Sequence, residues 1–238
     1  MAVFVLVHGA YHGAWCWERL TPLLEAAGHR VIAPDLPGHG ADPAPLAEVS
    51  LAAYAERVAE TAGAAGEAVV AVGHSMAGAV VSAAAERAPD AFRRLVYLTA
   101  YLPGDGETVS DWVRADTQFR IPVERSTRGG VACLTLDAAA LRRHFYHDAD
   151  DADFDWAAER VGAQAARPFT EALGLSAGAH GRVPRAYIRC RGDRAIGFAL
   201  QRRMVAAMPC DPVRTLNGGH SPFLTRPAEL ADVLAGLA

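Results

Sequence analysis

Three side chains far apart in the chain, Ser75, Asp193 and His220, have the types needed for nucleophilic catalysis. A serine hydroxyl is a weak nucleophile until a base takes its proton. A histidine base in turn needs an acid to hold its ring in the right tautomer. Ser75 lies in Val69-Val70-Ala71-Val72-Gly73-His74-Ser75-Met76-Ala77-Gly78-Ala79-Val80-Val81. An apolar, β-branched run breaks at Gly73, and a small-residue run compatible with a helix continues to about Arg87. Strand, sharp turn and helix with a serine at the apex are the mechanics of a nucleophile elbow, written Gly-x-Ser-x-Gly. Here Ala77 holds the last glycine position and Gly78 follows. One extra methyl predicts a tighter elbow rather than a broken one. Runs of Ala, Gly and Ser also fill buried helices, so Ser75 takes its meaning from its partners.

The partners follow in the order serine, acid, histidine. Asp193 sits in Arg191-Gly192-Asp193-Arg194-Ala195-Ile196, just after a predicted strand ending at Cys190. His220 sits in Asn217-Gly218-Gly219-His220, just after the last predicted strand. Ligands collect at such carboxyl ends of strands in open α/β sheets. Aspartates in Gly-Asp turns are often plain surface residues, but the nearest rival, Asp211, precedes its strand and falls at the opposite edge. Attack on a carbonyl puts negative charge on its oxygen, and two preorganised amide N–H groups should receive it. The positions suggest Met76, at the start of the elbow helix, and Ala10, in the loop after the first strand.

The elements that must position these residues alternate. Ala2 to Val7 is a continuous apolar run, as expected of a strand buried on both faces. Trp15 to Ala27 has helical spacing, with Pro22 marking a kink or a late start. Arg30 to Ala33 predicts a strand, Leu51 to Gly63 an amphipathic helix, and Arg94 to Ala100 a strand after the elbow. The rhythm resumes with a strand over Arg185 to Cys190, a helix over Phe198 to Met208, a strand over Val213 to Leu216 and a closing helix over Ala228 to Leu237. This predicts an α/β fold with a parallel sheet. Between Asp105 and Gly181 the composition shifts to Asp, Arg and aromatics. That stretch reads as a cap inserted into one domain spanning 1–238. It holds a small strand near 131–136, a helix capped by Asp137, and a helix over Asp153 to Ala166. Candidate pocket residues are Tyr11, Tyr101 and Leu102 in the sheet loops, and Trp112, Phe119, Phe145, Tyr146 and Phe154 in the cap, although cap aromatics also serve simply to pack it.

Composition narrows the partners. At 238 residues and 51% hydrophobic, the chain can bury one substantial core. A formal charge of -4 argues against nucleic acid and membrane surfaces as partners. All 23 basic residues are arginine, which removes Schiff-base and lysine-base chemistry. Cys16, Cys133, Cys190 and Cys210 are scattered without metal-ligand spacing, so they read as buried thiols in a reducing compartment, with no metal or disulfide framework, and a cytoplasmic protein is the expectation. No basic leader opens the sequence, and no uninterrupted apolar run suits a membrane span.

Together, Phe4-Val5-Leu6-Val7-His8-Gly9-Ala10, His12-Gly13-Ala14-Trp15-Cys16-Trp17, the Gly-His-Ser elbow, Gly192-Asp193-Arg194-Ala195-Ile196, Gly219-His220 and Phe145-Tyr146-His147-Asp148-Ala149-Asp150 resemble the α/β-hydrolase superfamily. More narrowly they resemble its plant methylesterase and hydroxynitrile lyase branch and the bacterial relatives of that branch. The resemblance implies an eight-stranded, mostly parallel sheet flanked by helices, a small cap, no cofactor, and often a homodimer. It implies a serine esterase for a small apolar or aromatic ester, possessing the Ser75–His220–Asp193 triad and the Ala10 and Met76 amides. Lyases of the branch carry a threonine and a lysine where this chain has Gly9 and Ser221. Without that lysine, cyanohydrin cleavage is not expected. The alternatives are a biosynthetic enzyme cyclising, decarboxylating or cleaving a polyketide-like or aromatic intermediate, and a non-catalytic ligand receptor.

Overall fold

A computed structural model describes residues 1–238. Nine strands form: β1 (Val3–Val7), β2 (Arg30–Ile32), β3 (Val69–His74), β4 (Phe92–Leu98), β5 (Glu124–Arg128), β6 (Val131–Thr135), β7 (Gln164–Ala165), β8 (Arg185–Cys190) and β9 (Val213–Leu216). Six of them build one sheet in the order β2-β1-β3-β4-β8-β9, every pair parallel. All residues of β1 and β3 are buried. That burial is why these strands read as continuous apolar runs, since a parallel sheet is covered on both faces. The expected eight-stranded sheet is therefore corrected to six. The remaining strands pair antiparallel among themselves, as β5-β6-β7, within the segment 105–181.

Ten helices accompany the strands: α1 (Thr21–Ala26), α2 (Leu51–Gly63), α3 (Ala77–Arg87), α4 (Val109–Ala115), α5 (Ala138–His144), α6 (Asp151–Ala158), α7 (Arg167–Thr170), α8 (Phe198–Ala207), α9 (Pro222–Thr225) and α10 (Pro227–Ala235). Ser50 caps α2, its hydroxyl accepting from the Ala53 amide at 3.0 Å. Asp137 caps α5 through the Ala140 amide at 2.6 Å. The helix expected over Asp153–Ala166 instead starts earlier, where Asp150 caps it, and stops at Ala158. Gln164 and Ala165 leave helical geometry because they pair with β6. The stretch Trp15–Ala27 is likewise divided: a short turn of helix covers Ala14–Trp17, and α1 begins at Thr21 with Pro22 in its first turn. Proline fits there because its missing N–H has no helical partner to lose.

Only three non-glycine residues have positive φ: Tyr11 at 69°, Ser75 at 56° and Thr99 at 37°. They follow the carboxyl ends of β1, β3 and β4, which are adjacent in the sheet. Each left-handed residue costs on the order of 1–3 kcal/mol and persists only where its surroundings impose it. This rim of the sheet is where the chain bears that cost.

Candidate active site

Ser75 reaches its position because β3 and α3 nearly touch. A Cβ on Gly78 would lie 2.0 Å from the Tyr101 carbonyl oxygen, so the closest approach falls on Gly78. Ala77 is fully buried without such a conflict, which explains why the elbow accepts a methyl there. The turn is held by the Ser75 amide donating to the Leu98 carbonyl at 3.3 Å and by the Tyr101 amide donating to the Ser75 carbonyl at 3.0 Å. These bonds stitch β3 to the end of β4 while the hydroxyl projects outward.

His220 Nε2 lies 3.0 Å from Ser75 Oγ, and His220 Nδ1 donates to Asp193 Oδ2 at 2.7 Å. The three residues, separated by up to 145 positions, thus form one hydrogen-bonded row. The carboxylate of Asp193 is in turn fully engaged. Its Oδ1 accepts from the Ala195 and Ile196 amides at 2.6 and 2.8 Å, and Thr99 Oγ1 donates to Oδ2. A buried carboxylate with this many donors stays oriented. The loop signal for Asp193 is present in the sequence. The role of Thr99 is not, because nothing in Leu98-Thr99-Ala100 announces its left-handed backbone.

The His220 loop is gripped from two sides. His74 Nε2–H donates to the His220 carbonyl at 2.8 Å, and Asp148 Oδ2 accepts from the Gly219 amide at 2.7 Å. Sequence reasoning singles out neither residue for this. A second set of bonds steadies the loop after β1. The Leu36 amide donates to His8 Nε2 at 3.1 Å, so His8 Nδ1–H must donate to the Gly9 carbonyl at 2.8 Å. His12 Nδ1–H donates to the Ala10 carbonyl at 2.8 Å, leaving Nε2 to accept from the Tyr146 hydroxyl at 2.6 Å. Burial pushes all three of these histidines, His8, His12 and His74, below the ordinary imidazole value, His12 to about 4. They are neutral brackets for the loops, in tautomers fixed by their partners. The amide N–H groups of Ala10 and Met76 have no acceptor within the protein. Both residues flank the loop ends near the Ser75 hydroxyl, and free amide donors of this kind are the type that a developing oxyanion would need.

A cavity of about 390 Å³ opens onto Ser75. Of the expected pocket residues, Tyr11, Tyr101, Phe119 and Phe145 line it, together with Ala10. Four others do not. The Leu102 amide is turned toward the Met204 sulfur at 3.4 Å, and the Trp112 indole N–H donates to Glu107 at 2.8 Å. Tyr146 is fully buried against His12, and Phe154 packs beneath the Arg142 guanidinium. Their places are taken by smaller aliphatic residues, among them Ile121, Val123, Leu134 and Ile196. No cluster of His, Cys, Asp and Glu has the arrangement of a metal site.

With this geometry in place, comparison with known proteins decides the lineage. The profile of the "Alpha/beta hydrolase family" matches residues 4–233. The chain belongs to the alpha/beta hydrolase family. It is 32% identical to an alpha-hydroxynitrile lyase of Arabidopsis thaliana, over 99% of this chain and 96% of that protein. It is also 32% identical to methyl jasmonate esterase 1 of Vitis vinifera, over 97% and 94%. The crystal structure of polyneuridine aldehyde esterase superimposes with a TM-score of 0.92 at 26% identity, covering 100% of this chain and 99% of that one. In this alpha/beta hydrolase no helix is long and apolar enough to cross a membrane.

Proposed function

We propose that this alpha/beta hydrolase cleaves a small carboxylic ester through an acyl-enzyme. The observation that carries the reading is the buried His220 ring placed between Ser75 Oγ at 3.0 Å and Asp193 Oδ2 at 2.7 Å, with Ser75 lining a cavity. His220 Nε2 takes the Ser75 proton as Oγ attacks the acyl carbon. Asp193 holds Nδ1–H and stabilises the imidazolium that forms. The amides of Ala10 and Met76 receive the negative charge on the carbonyl oxygen. His220 then protonates the departing alcohol, and water attacks the acyl-enzyme by the same steps in reverse roles. The mainly aliphatic and aromatic lining supports an apolar body for the substrate, as in the methyl ester named by the grape relative. The segment 105–181 serves as a cap within a single domain, since Phe119, Ile121, Val123 and Leu134 lie on it and line the cavity.

One Arabidopsis relative is a hydroxynitrile lyase, yet the features of this chain favour ester hydrolysis. A Cβ on Gly9 would lie 2.9 Å from the Ser75 Cβ and 3.0 Å from His74 Nδ1, so the loop has no room for a threonine. The chain has no lysine to hold cyanide's charge. Four cysteines without disulfides support a reducing compartment such as the cytoplasm. Only Met1, Leu23 and Val113 are exposed large apolar residues, so a homodimer would rest on polar surface, and light scattering on the purified chain reads that directly.

The deciding experiment pairs hydrolysis of p-nitrophenyl acetate with labelling by a fluorophosphonate. The wild-type chain is expected to turn over the ester and to label at Ser75, and Ser75→Ala to lose both. Since knocking out such a serine costs on the order of 10⁶ in kcat, any substantial residual activity in Ser75→Ala removes this mechanism.

A further inference from the structure

The chain has six tyrosines, and four of them satisfy their hydroxyls inside the protein. Tyr54 bonds His39 at 2.8 Å, Tyr97 bonds Ser82 at 2.7 Å, Tyr146 bonds His12 at 2.6 Å, and Tyr187 donates to the Ala100 carbonyl at 2.7 Å. The other two are Tyr11 and Tyr101. Both are about 95% buried, at 5% and 6% exposure, and both line the cavity beside Ser75. Neither hydroxyl has a partner in the protein, and neither is sealed in the core, so each opens to the cavity. Buried polar groups are nearly always paired, and two unpaired phenols in one pocket mark the place of a ligand group.

The chemistry of that group follows from its neighbours. Burial pushes the phenols of Tyr11 and Tyr101 upward, so both stay protonated and both can donate. Arg125, on the exposed strand β5, also borders the cavity, close enough for its charge to favour ionisation of the Tyr11 phenol against the larger effect of burial, and it makes no ion pair. Arg120 lines the same wall, with only backbone carbonyls of Val113 and Arg114 for partners. Arg114 is there too, but Asp111 holds it. The single carboxylate in the lining, Asp116, is already occupied. Its Oδ1 accepts from the Gln118 and Phe119 amides at 2.8 and 3.3 Å, and its Oδ2 from the Gly197 amide at 2.8 Å. What is left over in a mainly apolar cavity is a set of donors, two phenols and two arginines, with the positive charge on the Tyr11 and Arg125 side, since Tyr101 lies in the field of Asp193 and Asp116.

We propose that this set is a subsite for a carboxylate, and that the preferred substrate is an ester with a free carboxylate at its far end, such as the half-ester of a dicarboxylic acid. The inference rests on the esterase reading and narrows it. The ester carbon sits at Ser75, the apolar chain runs along the aliphatic wall, and the carboxylate accepts from Tyr11, Tyr101 and Arg125. Charge-assisted hydrogen bonds of this kind are strong enough to dominate a choice between substrates of equal length.

The test compares kcat/KM for monomethyl adipate and methyl hexanoate, which differ in the terminal group. The wild-type chain should favour the half-ester by about tenfold, the scale of one charged hydrogen bond. Arg125→Gln should bring the ratio near one, and Arg125→Glu should invert it. Tyr11→Phe should lower it without removing its salt dependence, because the screened charge belongs to arginine. The ratio is read within each variant, so loss of folded protein cancels. A wild-type ratio at or below one, or a ratio that survives Arg125→Gln, overturns the subsite while leaving the esterase intact. If neither ester is cleaved and Ser75 resists the fluorophosphonate, the esterase reading fails and the subsite falls with it.

Discussion

The rim of the sheet and the segment 105–181 meet at one cavity but are held together by different means. At the rim, Ser75, Asp193 and His220 are at most 7% exposed, and their positions are fixed by backbone hydrogen bonds, three neutral histidines and three left-handed residues. Along 105–181, all five residues of β5 are exposed, Arg125 among them although it also borders the cavity, and helices α4 to α7 are four to eight residues long. Those helices depend on local devices. Thr108 and Asp111 form a reciprocal cap on α4, and Asp137 and Asp150 cap α5 and α6. Isolated helices this short are marginal in water, so caps and docking decide whether they form. The rim is over-determined, as the proposed chemistry requires, since it tolerates little displacement of the reacting atoms. The other wall is assembled from short, locally capped pieces. The two are tied at neighbouring points: the Tyr146 hydroxyl bonds His12, and the Asp148 carboxylate grips the Gly219 amide beside His220.

The largest effect that separates the regions comes from Asp193→Asn. Asparagine keeps the shape and can still accept the Ala195 and Ile196 amides through its oxygen. Its NH₂ faces His220 Nδ1, however, and forces the wrong tautomer. A fall of about 10⁴ in kcat is expected with little change in thermal midpoint. A fall below about tenfold would mean that another acid orients the ring, with Asp148, beside the same loop, the first to test.

The second effect is on stability. His8, His12 and His74 are buried and neutral, and burial lowers their proton affinity in the folded chain. The unfolded chain binds protons at these residues near pH 6.5 and the folded chain does not, so stability falls as pH drops below that value. For His12, held to about 4, the loss between pH 6.5 and 4 is on the order of 3 kcal/mol. The sign is therefore acid destabilisation over that window, with a plateau above it. Thermal midpoints measured from pH 7.5 down to about 4.5 should decline, and His12→Phe should flatten part of the slope. A flat profile would show that these rings titrate normally, and the account of the rim as a neutral bracket would go with it.

The same contrast explains what the sequence could reveal. Ser75, Asp193 and His220 each follow a strand whose apolar run is unmistakable, so their shared rim is legible from strand ends alone. Ala10 and Met76 follow from the same loops. The supporting layer is less legible. Thr99 needs its backbone angle, and His12 needs the Tyr146 hydroxyl, which lies 134 residues away. The pocket wall is the least legible part. An aromatic residue in 105–181 signals burial but not its direction, and Trp112, Tyr146 and Phe154 all turn toward partners outside the cavity. The strand count misled for a related reason. Resemblance implied eight strands in one sheet, while β5, β6 and β7 found their hydrogen bonds with one another.

The smallest effect completes the comparison from the other wall. Ile121 lines the cavity on 105–181 and touches none of the reacting groups. Ile121→Ala trims the wall back to a single methyl, and because the residue is half-buried at the edge of the core the fold loses less than at a fully buried site. Apolar binding removed equally from the ground and transition states raises KM and spares kcat. For an alkyl ester that fills the cavity, KM should rise by about three- to tenfold, the scale of burying one to two methylene groups less. For p-nitrophenyl acetate, whose acyl group is too short to reach that wall, the change should be smaller. If kcat itself fell for both esters, the wall would be positioning the reacting atoms, and the division between a rim that positions and a wall that only binds would not hold.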